Sequence, residues 1–269
     1  MEEKIQSILE KTEYNVYDLA EIVKILRSEN GCPWDKVQTH QSIRNDFLEE
    51  VYEVLEAIDY DSEEMLREEL GDVLLQIVFH TQIEEEFNHY KFDDIANDVC
   101  QKLIIRHPHV FGNVDADNVD TVLKNWDNIK KETKGQETYS DTLKSVPKVF
   151  PALMRAQKLG KRAARAGMDF KDNDDCFESL KSEVYELEEA LNNGDKTSAE
   201  EELGDLLFSC ANMARKLGAD AEQLLYNANE KFLKRFEAVE NAVRQDGFDM
   251  QTLSIDSLDK YWAKIKGEN

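Results

Sequence analysis

The sequence predicts an all-α fold, built as a tandem duplication of one helical-bundle unit, and three observations predict it. Apolar residues recur at the i, i+3, i+4, i+7 spacing of a helix face through nearly the whole chain. No alternating strand pattern competes with that period. A block of acids and its surroundings also occurs twice: REELGDVLL at 67–75 and EEELGDLLF at 200–208.

In chain order, Val16, Leu19, Ile22, Val23 and Leu26 form a first apolar stripe, and Leu48, Val51, Leu55 and Ile58 a second. Residues 64–86 predict a third helix that is apolar nearly all round, a pattern expected of a helix enclosed by others. Helices over 92–106 and about 117–133 follow. The breaks fall at turn-forming clusters, NGCPWD at 30–35, RHPHVFGN at 106–113 and KGQETYSD at 134–141. The second half predicts helices near 148–165, 174–192, 197–217, 219–244 and 255–267, with a turn at Asn192-Asn193-Gly194-Asp195.

The halves align by simple offsets. Adding 133 carries Glu50, Glu53, Glu69 and Asp72 onto Glu183, Glu186, Glu202 and Asp205. Lys102 and Arg106 meet Lys231 and Arg235 at an offset of 129, and Trp126 and Lys130 meet Trp262 and Lys266 at 136. Preserved order with small changes of offset is what loop insertions produce in a duplicated unit. The expected domains are 1–135 and 136–269, with the linker near 134–147.

With 269 residues the chain is long enough for two cores. Its net charge of −24 repels phosphate backbones, so nucleic acid is not an expected partner. No stretch approaches the roughly 20 apolar residues that span a bilayer, so no membrane is expected either. The acidic, mixed start MEEKIQSILEK does not look like a signal peptide. Cys32, Cys100, Cys176 and Cys210 are scattered without a CxxC, which suits reduced thiols in a cytoplasmic protein.

Asp72 and Asp205 each precede an apolar run, where a charge is costly unless paired or bound to metal. Glu183 and Glu186, three residues apart, share a helix face, as do Glu202 and Asp205 on the next helix. A short turn makes these helices antiparallel neighbours, so up to four carboxylates converge on one volume. Such a cluster calls for protonation or for divalent cations, and an all-oxygen ligand set suits Mg²⁺ or Mn²⁺. Glu50, Glu53, Glu69 and Asp72 make a second candidate site by the same spacing. Lys231 and Arg235 share a face of the following helix, with Asn229 nearby, and Trp262 and Lys266 add an aromatic surface and another cation. Carboxylates holding a metal beside Lys and Arg suggest a polyphosphate ligand.

The order ExxE, turn, ExxD, KxxxR, found twice, resembles the MazG-type nucleoside triphosphate pyrophosphohydrolases of the all-α NTP pyrophosphatase superfamily. EVYELEEAL with EEELGDLLF matches that family's signature, and GCPWDKVQTH, RHPHVFG and ANEKFLKRF are similar to it as well. The resemblance covers nearly the whole chain. It implies Mg²⁺-dependent hydrolysis of nucleoside triphosphates to monophosphates and pyrophosphate, and units that pair as a homodimer. The expected catalytic set is Glu183, Glu186, Glu202, Asp205, Lys231 and Arg235, with Lys130, Asn229, Trp262 and Lys266 binding substrate. The resemblance makes the second half the safer assignment; the halves differ nearby, with Cys100 in the first where Asn229 stands in the second. The competing readings are a nucleotide-binding or regulatory module without turnover, and a narrower dUTP or dCTP pyrophosphatase.

Other features read as structural. His107-Pro108-His109 suits a loop after a helix better than a metal site, since no further ligand has zinc spacing. Trp34 suits packing in its turn better than stacking on a base. Arg162 and Arg165 suit a solvated helix end as well as a phosphate contact. Gly71 and Gly204 are expected to permit close helix approach beside the acids.

Overall fold

The computed structural model describes residues 2–113 and 138–267, and among these every regular element is helical. The chain divides into two units, residues 1–129 and 130–269. The expected helix at 117–133, with Trp126 and Lys130, lies outside the described residues.

The first unit begins with α1 (Glu2–Leu9) and α2 (Val16–Arg27). Asn15 caps α2, its side chain accepting from the Tyr17 and Asp18 amides, while the Asp18 carboxylate accepts from the Asn15 amide. These bonds satisfy amides that lack helical partners. A loop with one 3₁₀ turn (Asp35–Val37) leads to α3 (Arg44–Asp59) and α4 (Glu63–Glu86), which pack together as a hairpin. Then come α5 (Phe92–Arg106) and the short α6 (Pro108–Phe111). Val23, Ile43, Val78, Phe79 and Ile83 form the buried core, with Leu19, Leu74, Leu75 and Phe92 against it. Arg27, its side chain almost wholly buried, ties the loop down. It bonds both Glu86 oxygens (2.7 and 2.9 Å) and the carbonyls of Asp35 and Gln38.

Burial in α4 differs from the expectation of an enclosed helix. Its buried residues, Val78, Phe79, Thr81, Gln82 and Ile83, lie in the C-terminal half, whereas Leu70 beside the acids is 51% exposed. Leu55 and Leu70, at the α3–α4 acid end, are not covered by the unit's own core.

The second unit holds α7 (Tyr139–Lys144), α8 (Ala152–Arg165), α9 (Asn173–Asn192), α10 (Lys196–Lys216), α11 (Ala221–Gln245) and α12 (Ile255–Gly267). The stretch expected to be linker thus carries a helix, capped by Thr138. The helix expected from 148 starts only after Pro151, since proline suits a helix start and not its interior. Arg162 is a staple: its guanidinium donates to the Thr142 carbonyl and to Ser145 Oγ. The turn between α9 and α10 uses Gly194 at φ +68°, followed by Asp195, whose carboxylate accepts from the Thr197 and Ser198 amides. Gly160 of α8 allows close approach to α10, because a Cβ there would lie 2.2 Å from Asn212 Oδ1. Ala156, Ala211, Ala214 and Ala221 form the small-residue core at this crossing.

Candidate active site

The α9–α10 hairpin brings the expected acids together. One oxygen each from Glu183, Glu186 and Glu202 lies within 4.8 Å of the others. Burial first, then Glu186 and Asp205, push the Glu183 carboxyl above the usual carboxylate range. The same order of causes, burial and then Glu186, Asp205 and Glu183, raises Glu202. All four acids therefore interact through one small volume. Two serines also take part, which spacing arguments missed. Ser182 Oγ donates to Glu186 at 2.8 Å, and the buried Ser209 donates to Glu183, partly offsetting the upward shift. Ser209 lies four residues after Asp205, on the acid-bearing face, so helical periodicity could have found it.

The first unit repeats this on α3 and α4, where oxygens of Glu50, Glu69 and Asp72 lie within 4.8 Å of one another. Burial and then Asp72, Glu53 and Glu69 raise Glu50. Burial and then Glu53 head the causes that raise Glu69. The two clusters differ in which acid stands outside the closest trio, Glu53 in one and Asp205 in the other.

Lys231, Asn229 and Arg235 lie on α11, which packs against α10. Lys231 and Asn229 are exposed, while the Nε of half-buried Arg235 is buried without a hydrogen-bond partner. Among the described residues no ion pair joins Lys231 or Arg235 to an acid. Half-buried Trp262 of α12 packs against Phe232, ring centroids 5.3 Å apart, which ties α12 to α11, and Lys266 is exposed on the same helix. Lys130 lies outside the described residues.

Three expectations need correction. A Cβ on Gly71 or Gly204 would meet nothing within 4 Å, so neither glycine serves close helix packing within its unit. Asp205 is not desolvated by its neighbours, since Leu203, Leu207 and Phe208 are 42–54% exposed. Trp34 is 58% exposed and does not pack the turn, which is held instead by Arg27. His107 does act structurally, donating from Nδ1 to the Leu103 carbonyl at 2.6 Å.

A duplicated helical hairpin that gathers carboxylates, followed by a Lys/Arg helix, defines a class of nucleotide-processing proteins. Residues 38–111 and 172–240 match the model of the MazG nucleotide pyrophosphohydrolase domain, and the chain belongs to the MazG family. Both matches contain the complete acid sets. The nucleoside triphosphate pyrophosphohydrolase/pyrophosphatase MazG of Thermotoga maritima is 42% identical over 250 residues, covering 93% of this chain and 95% of that protein. The nucleoside triphosphate pyrophosphohydrolase of Escherichia coli K12 is 42% identical over 253 residues, covering 92% and 95%. YabN of Bacillus subtilis is 39% identical over 246 residues, which are 91% of this chain and 50% of YabN.

Proposed function

We infer that this chain hydrolyses nucleoside triphosphates, ribo- and deoxyribo-, to monophosphates and pyrophosphate. Membership of the MazG family, over two full-length relatives named for that reaction, supports it. The single observation that carries the chemistry is the convergence of Glu183, Glu186 and Glu202, with Asp205 in electrostatic reach. Carboxylates that raise one another's pKa form a site whose charge a divalent cation would relieve, and their oxygens fit Mg²⁺ or Mn²⁺. Glu183, Glu186, Glu202 and Asp205 would hold it; when bound it supplies charge neutralisation and polarisation of the phosphates.

The chain's own groups do the rest. Ser182 and Ser209 fix Glu186 and Glu183 in orientation. Glu183 or Glu186 orients or deprotonates the water that attacks the α-phosphorus. Lys231 and Arg235 stabilise charge on the leaving pyrophosphate. Asn229, Trp262, Lys266 and Lys130 contact substrate. The domains, 1–135 and 136–269, each carry one acid set, with Glu50, Glu53, Glu69 and Asp72 as the second site.

A homodimer follows from the uncovered apolar residues beside both acid sets, Leu55 and Leu70 in one unit, Leu203 and Leu207 in the other. No described helix is long and apolar enough to cross a membrane, and the cytoplasm is the compartment that suits the four free cysteines. The reading is tested by product analysis with each NTP and dNTP. Monophosphate plus pyrophosphate, abolished by EDTA, is the expected result; binding without turnover would leave a regulatory module as the function.

A further inference from the structure

The first unit contains a second group of titratable residues, apart from its acids. His40, at the end of the loop before α3, joins two residues of α4. Its Nδ1 lies 2.7 Å from Nδ1 of His80, and its Nε2 lies 2.6 Å from Glu84 Oε1. Glu84 Oε2 is 2.7 Å from Nδ1 of His89. The His40 and His80 rings are nearly parallel, 8° apart, and Phe47 packs against His80. His40 and His80 line an open cavity of about 420 Å³ with Arg44, Phe47, Thr81 and Tyr90.

The chemistry of this chain of contacts fixes its protons. An ionised carboxylate only accepts, so His40 donates from Nε2 and His89 from Nδ1. Neutral His40 then has a lone pair on Nδ1, which accepts the Nδ1–H of His80. One added proton leaves this bond intact, because an imidazolium still donates to a neutral imidazole. A second added proton puts N–H groups on both facing nitrogens and two positive charges on touching rings, and the bond is lost.

We propose that His40, His80 and Glu84 form a proton-operated latch, which holds the last residues of the loop, 39–43, on α4 and releases them when both facing nitrogens carry protons. The direction agrees with the surroundings. Burial first, and then His40, hold the His80 pKa below the usual histidine value, and the hydrogen bonds from His89 and His40 hold Glu84 below the usual carboxylate value. The other charges facing the network are fixed elsewhere. Lys24 of α2 pairs with Glu85 and Arg27 with Glu86. Asp94, at the start of α5, accepts from the Lys91 amide. Arg44 at the start of α3 adds positive charge to the cavity, and Tyr90 lines it. Among the described residues, Glu84 is the carboxylate that bonds His40, and none bonds His80, so none there compensates a second proton. The Arg27 anchor holds the loop at Asp35 and Gln38, so release frees its last residues, which lead directly into the helix bearing Glu50 and Glu53. The latch rests on geometry within the first unit and not on the proposed reaction.

Hydrogen exchange on the full chain tests it, read by mass spectrometry on peptides covering 28–43 between pH 7.5 and 5.5. After correction for intrinsic exchange, amides at the end of this loop, 39–43, should exchange up to about tenfold faster at the lower pH. Peptides from 173–216 should not change. The rise should vanish in His80→Phe, which keeps an aromatic ring, and in His40→Asn, which serves if the first variant folds poorly. Corrected rates that do not move with pH in the parent chain would overturn the proposal. So would an equal rise in either variant, or a rise shared by residues 173–216, which would mean global loosening.

Discussion

Replacing Ser209 by alanine removes one hydroxyl, and the structure gives it one acid to serve. Ser209 is 8% exposed and donates to Glu183, whose carboxyl is raised by burial and by Glu186 and Asp205. A hydrogen bond to a charged group contributes about 1.5–3 kcal/mol. A supporting residue behind a metal ligand typically accounts for about 10–100-fold in metal affinity. Ser209→Ala should therefore raise the Mg²⁺ concentration needed for half-maximal turnover by about 10–100-fold, with kcat at saturating Mg²⁺ much less affected. The assay is pyrophosphate release against Mg²⁺ concentration, with the exposed neighbour change Cys210→Ala as control. An unchanged Mg²⁺ dependence in Ser209→Ala, with the fold intact, would refute the claim that Glu183 holds metal with its support.

Other expectations follow from the same geometry. Glu50, Glu69, Glu183 and Glu202 are all raised above the usual carboxylate range in the fold, so these four groups keep protons in the fold at pH values where the unfolded chain has lost them. These groups therefore cost the metal-free protein stability at neutral pH and cost it less as pH falls through their folded values towards 4.5. Mg²⁺ at 100 times its Kd should stabilise the fold by about 2.7 kcal/mol at pH 7.5. That gain should shrink by pH 5 as protons compete, as thermal melts with and without EDTA would show. Gly204→Ala meets no atom within 4 Å and should stabilise α10 by about 1 kcal/mol; a simultaneous fall in kcat/KM would mean that substrate seats over this glycine. Gly160→Ala, in contrast, drives a Cβ against Asn212 Oδ1 and should lower stability by about 1–3 kcal/mol in urea titration. Arg235→Ala should lower kcat by about 100–1,000-fold if its guanidinium meets the leaving group, with little effect on the melting temperature.

Much of this molecule was legible in the sequence because its information is periodic. The stripes at Leu19–Leu26 and Leu48–Ile58 became α2 and α3, and the offset of 133 predicted two acid sets that each draw together. The misses have physical causes. Leu70, Leu203 and Leu207 have the composition of a core, yet periodicity cannot say what covers a face, and their own unit does not. Gly71 and Gly204 resembled packing glycines because both kinds look alike in sequence; of Gly71, Gly160 and Gly204, it is Gly160 that has a neighbour a Cβ would clash with. Trp34 was misjudged because the loop is organised by Arg27, which is distant from Glu86 in sequence and carries no local signal. The serines behind the acids were overlooked because Ser is common on helices, although Ser209 is on the right face.

The most direct test of the account is product analysis by ion-exchange chromatography of the parent chain, Glu53→Ala, Glu186→Ala and the double variant. Each is incubated with the nucleoside triphosphates in Mg²⁺ and in EDTA. The account predicts monophosphate and pyrophosphate from the parent in Mg²⁺ alone, with loss of product in Glu186→Ala. Loss only in the double variant would assign turnover to both acid sets. Undiminished product from the double variant, or no product from the parent with any nucleotide, would contradict it.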